Sequence, residues 1–317
     1  MSPHGIRRIA AIDIGTVTTR LLIADVAEDS VREVYRSTDI THLGEGLTST
    51  GRLDPDAMRR VADVIGAYAA RAAEYGVDHV AAYATSASRD AQNGEEFRAL
   101  LAARGIAPQI ISGAIEARLA FAGATFEMEG EDILVADLGG GSTELVLGSV
   151  AHEVVGRTEQ IEAARSIDVG SKRVTELFLH SDPPTPLELE EARAFATHEL
   201  RPYFDGLRNR PRTMVALAGT ATTLSAIHQG LALYDAEKVH RSCLKGSDLA
   251  DLLEQLATLP LEERLRVVGL DPGRAPVIVA GTLILEIVVG LAGLDSTLVS
   301  EHDVLYGILL DGYQNLV

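Results

Sequence analysis

Asp13 to Ile23 reads D-I-G-T-V-T-T-R-L-L-I, and Asp137 to Leu147 reads D-L-G-G-G-S-T-E-L-V-L. The two phrases align without a gap. Each has Asp, an apolar residue, Gly, a Thr-Thr or Ser-Thr pair, one charged residue and an apolar run. Each reads as a strand ending near a carboxylate, a turn on glycine or small hydroxyl residues, and a returning strand. Backbone N–H groups in such turns form a concavity that attracts anions. The Asp can hold a cation that bridges to the same anion. A plain hairpin accounts for one such turn. The run Gly139-Gly140-Gly141 needs a further reason, because three glycines cost conformational entropy and leave nothing to pack. They make sense where another group approaches the backbone, so two halves of one protein can clasp one phosphate chain.

Outward from the phrases, strand and helix patterns alternate. Arg8 to Ile14, Leu21 to Val26, Val80 to Ala84 and Gln109 to Ile111 read as strands. Pro55 to Tyr75, Gly94 to Arg104 and Ile115 to Ala124 read as helices, the first capped by Asp54 and ended by Gly76. The plan then restarts. Strands are expected at Ile133 to Asp137, Leu145 to Val150, Ala164 to Val169, Met214 to Leu217 and Thr297 to Ser300. Helices are expected at Ser171 to Phe178, Leu187 to Leu207, Thr222 to Gln229, Ser247 to Leu256 and Pro276 to Gly293, with a helical tail from Asp303. Alternating strands and helices indicate α/β domains, and the repeated phrase suggests that two domains share one plan. The boundaries expected are 1–125 and 126–302, with 303–317 packing back on the first.

Composition sets limits. A chain of 317 residues with 46% apolar and 23% charged residues suits about two soluble domains. Ile9 to Ile12 is too short for a signal-peptide core and is stopped by Asp13. Ala275 to Leu294 approaches membrane-spanning length, but Glu286, glycines and a proline interrupt it, so it is expected to be a buried helix. Cys243 is the only cysteine, which excludes an intramolecular disulfide and fits a reducing cytoplasm. The net charge of −18 argues against nucleic acid, which wants a basic face. Local charge is another matter, since screening acts over about 10 Å. A phosphate site can draw on Arg20, Arg89, Arg118, Lys172 and Arg173, each near a motif.

Three further motifs carry chemistry. Ala218-Gly219-Thr220-Ala221-Thr222-Thr223 follows a strand and opens a helix, where N–H groups collect anions. Glu116 stands at the start of an apolar helix in I-S-G-A-I-E-A-R-L-A-F-A-G, Ile111 to Gly123. A carboxylate there is either a partner of the helix dipole or a general base. Arg89 follows a strand end in T-S-A-S-R.

Together these phrases resemble the exopolyphosphatase/guanosine pentaphosphate phosphohydrolase (Ppx/GppA) family of the actin-like superfamily. The matching pieces are the two phrases, L-G-E-G-L at Leu43, A-T-S-A-S-R-D-A-Q-N at Ala84 and I-S-G-A-I-E-A-R-L at Ile111. They continue with D-V-G-S-K-R-V-T-E at Asp168, A-G-T-A-T-T-L at Ala218, R-A-P-V-I-V-A-G at Arg274 and V-S-E-H-D-V-L-Y-G at Val299. They occur in the family's order and span essentially the whole chain. The resemblance implies two actin-like, ribonuclease H-like α/β domains with the active site in the cleft between them. It implies Glu116 as the general base and Asp137, Glu144 and Asp13 as partners of Mg²⁺. It implies Gly15, Thr16, Gly139, Gly140, Gly141, Ser142, Gly219 and Thr220 as a phosphate cradle, with Arg20 and Arg89 neutralising charge. The implied activity is exopolyphosphatase, releasing orthophosphate from the end of inorganic polyphosphate, in a cytoplasmic homodimer.

The chain departs from the family's pattern at Val17-Thr18 (usually Asn-Ser), His42 (commonly Arg), Ile115 (usually Glu) and Leu305-Tyr306 (usually Arg-Glu). It also resembles the short form, without the C-terminal helical extension of longer members. Removal of the 5′-phosphate of guanosine pentaphosphate is the alternative activity. A sugar or acetate kinase and a non-hydrolytic polyphosphate or nucleotide sensor are two others.

Overall fold

The computed structural model describes residues 5–27, 30–153 and 156–316. The chain divides into two compact units. One holds the residues up to Gly123 together with those from Val304 onward, and the other holds Ala124–Asp303.

The first unit starts with β1 (Arg7–Ile14), β2 (Thr18–Ala27) and β3 (Ser30–Ile40), then α1 (Leu47–Thr50) and α2 (Pro55–Glu74). β4 (His79–Ala84), α3 (Ser86–Asp90), α4 (Gly94–Ala102), β5 (Gln109–Ile110) and α5 (Gly113–Ala124) follow. The second unit begins with β6 (Gly130–Leu138), β7 (Thr143–Glu153) and β8 (Gly156–Ile167), then α6 (Ser171–Phe178) and α7 (Pro186–Asp205). Next come β9 (Thr213–Leu217), α8 (Ala218–His228), α9 (Ala236–Val239), β10 (Cys243–Lys245) and α10 (Gly246–Thr258). α11 (Leu261–Arg264), α12 (Ile278–Ala292) and β11 (Ser296–Val299) complete it, and α13 (Val304–Gln314) rejoins the first unit.

The two sheets follow one plan. The first has the order β3-β2-β1-β4-β5 and the second β10-β11-β9-β6-β7-β8. In each, three strands run as an antiparallel meander, and the first of them pairs in parallel with a strand on its other side. Central strands buried on both faces read as continuous apolar runs, which is why Ile9–Ile12 and Ile133–Ala136 are legible as strands. β3 escaped the sequence reading because it is a half-exposed edge strand rich in charge, with Arg32, Glu33 and Arg36. Such charge on an edge discourages pairing with another chain.

Helix starts follow local chemistry. The Asp54 side chain accepts from the N–H groups of Asp56 and Ala57 at 2.8 and 3.0 Å, with Pro55 opening the first turn. Thr185 and Glu188 form a capping box at α7. α12 is buried along most of its length within the second unit, and Glu286 on it pairs with Arg193 at 2.6 Å. Among the described residues no helix is long and apolar enough to cross a membrane. In α13, a Cβ at Gly307 would lie 2.0 Å from the Leu119 carbonyl oxygen, so the glycine lets α13 meet α5 backbone to backbone. Two phenols help fix this helix: Tyr83 donates to Asp311 at 2.7 Å and Tyr306 to Glu33 at 2.8 Å.

Candidate phosphate-handling site

Both repeated phrases fold as the same hairpin. Gly15 N–H donates to Thr18 O at 2.9 Å, and at the matching positions Gly139 N–H donates to Ser142 O at 3.0 Å. The strands then pair in the same register, with Asp13 opposite Arg20 and Asp137 opposite Glu144. Both turns sit at the carboxyl ends of parallel strands, where open α/β sheets bind ligands.

Each turn is held from behind through its carbonyls. In the first, Thr16 O accepts from Gly44 N–H at 2.9 Å, and Val17 O accepts from the N–H groups of Thr41 and His42. In the second, Gly139 O accepts from Ser171 N–H at 3.0 Å, and Gly140 O accepts from Lys172 and Arg173 N–H at 2.9 and 3.0 Å. Gly141 O accepts from Arg173 Nε at 2.8 Å. The C=O and N–H of one trans peptide point in opposite directions. The N–H groups of Val17, Thr18, Gly140, Gly141 and Ser142 are therefore turned away from their supports, as an anion cradle requires. The departure at Val17-Thr18 changes side chains and keeps these backbone donors.

The supports explain two glycines in the motifs. A Cβ on Gly44, in L-G-E-G-L, would lie 2.3 Å from the Thr16 methyl. A Cβ on Gly170 would lie 2.4 Å from Gly140 O, although its φ of −130° suits any residue. Both are glycine for space. Arg173, counted from sequence as a cation for the substrate, instead braces the turn, and Lys172 pairs with Glu176 at 3.5 Å. Arg118 is exposed.

The carboxylates differ in their surroundings. Asp13 is paired with Arg20 at 2.6 Å, both nearly out of solvent. Glu144 is 2% exposed, and its Oε1 accepts from Ser142 Oγ at 2.8 Å and Ser166 Oγ at 2.6 Å. The Ser142 hydroxyl, expected on phosphate, is thus on Glu144. Ser166 was missed from sequence; it stands on β8 directly opposite Glu144, a register visible only once the strands pair. Asp137 and Glu144 present oxygen ligands of the kind Mg²⁺ takes, on adjacent antiparallel strands, so the donor set fits a hard divalent cation.

In the first unit Glu116 and Arg89 come together. Glu116 is buried in the first turn of α5, and Arg89 Nη1 donates to its Oε2 at 3.2 Å and to Ile111 O at 3.3 Å. The main chain anchors this corner: Thr85 N–H donates to Ile14 O at 3.1 Å, joining the start of α3 to the end of β1. Ile115, one of the departures noted in the sequence pattern, is 45% exposed, so it lies on the surface beside the buried carboxylate. The hydroxyls of Ser86 and Ser88 are buried without a hydrogen-bond partner among the described residues. Buried polar groups are normally satisfied, so this corner suits water or a polar ligand.

Gly219 and Thr220 lie inside the first turn of α8, which starts four residues earlier than the sequence suggested. Ala218, before them, has φ 62°, a strained left-handed conformation for a residue with a side chain. The Arg274 guanidinium lies against Gly219: a Cβ there would be 1.7 Å from its Cζ. Nothing in the local sequence R-A-P-V-I-V-A-G marks Arg274 for this position.

Glycine turns with N–H groups turned outward, buried carboxylates and arginines at sheet ends suit an α/β protein to handling phosphate groups. The profile of the Ppx/GppA phosphatase family matches residues 22–313, and the chain belongs to that family. It is accordingly a phosphatase-type hydrolase on the actin-like fold. Exopolyphosphatase 2 of Mycobacterium tuberculosis is 42% identical over 96% of this chain and 98% of its own. The crystal structure of the Aquifex aeolicus Ppx/GppA member is similar with a TM-score of 0.81 at 30% identity, covering 98% of this chain and 99% of that one. An exopolyphosphatase of Cytophaga hutchinsonii gives a TM-score of 0.87 at 27% identity, covering 98% of both.

Proposed function

We propose that the protein is an exopolyphosphatase: water, deprotonated by Glu116, attacks the terminal phosphorus of inorganic polyphosphate, the bridging P–O bond to the next phosphate breaks, and the shortened chain leaves as the attacked phosphorus becomes orthophosphate. The observation that carries this is the buried Glu116 carboxylate, oriented by Arg89 at 3.2 Å, in a protein with two N–H cradles. The name of the M. tuberculosis relative supports the choice of substrate. Phosphoryl transfer is mostly positioning and charge stabilisation, and these residues supply both. The backbone around Gly15, Thr16, Gly139, Gly140, Gly141, Ser142, Gly219 and Thr220 binds phosphate oxygens, and Arg89 and Arg20 offset their charge. Arg274 joins them at the head of α8. Asp137 and Glu144 hold Mg²⁺, which when bound neutralises phosphate oxygens. Asp13, already paired with Arg20, contributes less to the cation. The working form is taken as a cytoplasmic homodimer, which sedimentation checks.

The test is Mg²⁺-dependent phosphate release from polyphosphates of defined length, with guanosine pentaphosphate and ATP alongside. Glu116→Gln is expected to reduce turnover about 10²- to 10⁴-fold while polyphosphate still binds; unchanged turnover sinks the role. Preferential release from guanosine pentaphosphate moves the assignment to that alternative. Tight binding without release identifies a sensor.

A further inference from the structure

The binding edge of the second sheet extends beyond the glycine turns. β9 lies between β6 and β11, all three parallel, so their following segments stand in a row. The row runs from the Gly139–Gly141 turn, through the head of α8, to Ser300 and Glu301. Ser300 N–H donates to Ala216 O at 3.1 Å, tying the last segment to β9. With strands about 4.8 Å apart, Glu301 stands roughly 10 Å from the glycine turn, one strand past Gly219.

Glu301 is held in place. Its N–H donates to His240 Nδ1 at 3.2 Å, and Tyr234 OH donates to its Oε1. Thr222 and the charge of Arg274 both act on the same phenol, drawing its pKa the other way from Glu301. Thr222 lies three residues after Gly219 on α8 and so shares its face. The Tyr234 residue is 55% exposed, and its hydroxyl is engaged by Glu301. Desolvation, then the Glu301 carboxylate, push its pKa upward, so it remains a donor. Arg274 against Gly219 and the Tyr234–Glu301 pair thus stand at neighbouring strand ends on one sheet edge. A phosphate chain laid along it meets a cation and N–H groups, then a fixed carboxylate.

We propose that Glu301, locked by Tyr234, ends the anion track and makes the enzyme disfavour long phosphate chains relative to short ones. This rests on the polyphosphate reading above and names the residue that sets chain-length preference. A neutral residue at 301 lets a long chain continue past Gly219. A single like charge at about 7 Å in an intermediate dielectric corresponds to roughly a five- to tenfold effect. Salt weakens it, because the screening length falls to about 3 Å at 1 M.

The experiment compares tripolyphosphate with a long polyphosphate of defined length for wild type, Glu301→Gln and Tyr234→Phe. kcat/KM is measured by phosphate release, and affinity by calorimetry in EDTA. Glu301→Gln is expected to raise the long-to-short ratio of kcat/KM about five- to tenfold, with the gain shrinking at high salt. Tyr234→Phe, which frees the carboxylate without removing it, shifts the ratio the same way by less. Equal changes for both lengths, or none, overturn the proposal. If wild type turns over neither chain, the hydrolase reading fails, and a selective gain in long-chain affinity in Glu301→Gln still upholds the acidic stop. If neither length binds, both readings fail.

Discussion

The hairpin at Asp13 and the hairpin at Asp137 share a turn hydrogen bond, a register and a support from behind, yet differ in one cross-strand partner. Opposite Asp13 stands Arg20; opposite Asp137 stands Glu144. In the first the charges cancel within the protein, at 2.6 Å. In the second two buried carboxylates face across one ladder, and Glu144 is fixed by two serine hydroxyls. Like charges opposite each other are destabilising, and burial raises the cost. An arrangement retained at such cost is understandable if a cation joins it. One backbone motif therefore gives two electrostatic sites: a neutral brace with an arginine, and a carboxylate pair suited to metal.

The largest effect expected at the two hairpins separates those two roles. Glu144→Gln keeps the side-chain shape and removes the charge. It is expected to lower turnover about 10- to 100-fold and to raise the Mg²⁺ concentration needed for half-maximal rate. Arg20→Gln is expected to act mainly on KM, with the Mg²⁺ requirement little changed. A Mg²⁺ titration of both variants decides: matching shifts in the two would erase the distinction between the hairpins.

The supports differ too, and glycine substitution exposes how. Gly170→Ala sets a Cβ against the Gly140 carbonyl oxygen and carbon and the Gly141 carbonyl carbon, all backbone, so the triple-glycine turn itself must move. Gly44→Ala meets chiefly the Thr16 methyl, a side-chain tip. Each change is expected to cost about 1–3 kcal/mol, Gly170→Ala at the upper end. Thr16→Ser, which deletes that methyl, should restore most of the stability lost in Gly44→Ala. No side-chain trimming should rescue Gly170→Ala. Denaturant melts of the single and double variants measure both, and a rescue that fails would show that the first turn is braced by more than this contact.

The sequence disclosed the hairpins because strand ends, glycines and hydroxyls are local signals that survive without coordinates. The cores were equally plain, since Ile9–Ile12 and Ile133–Ala136 are apolar runs with no alternation to misjudge. What stayed hidden depends on pairing. Ser166 reaches Glu144 because β8 aligns opposite β7, and nothing near Ser166 marks it. Arg274 covers Gly219 across more than fifty residues of chain, and Arg173 turned from expected ligand to brace because α6 packs on the glycine turn. Local chemistry revealed where anions can bind; only register revealed which charges face each other.

The smallest expected effect concerns the corner behind Glu301 in the second unit, where His240 stands. His240 receives the Glu301 N–H on Nδ1, lies 3.7 Å from Glu127 Oε2 and stacks on His302 at 4.3 Å between ring centres. Burial, then neighbouring Arg241, hold its pKa below the ordinary value of 6.5, while Glu127 pulls the other way. The folded protein thus prefers neutral His240, whereas the unfolded chain takes up a proton on this residue near pH 6.5. Linkage then makes stability fall as pH drops below about 6.5, because the unfolded state binds more protons. His240→Gln removes the titration. Its melting temperature should decline less than that of wild type as pH falls from about 7 to about 5. Parallel declines would mean that the Glu127 carboxylate, rather than burial, sets the charge of this histidine.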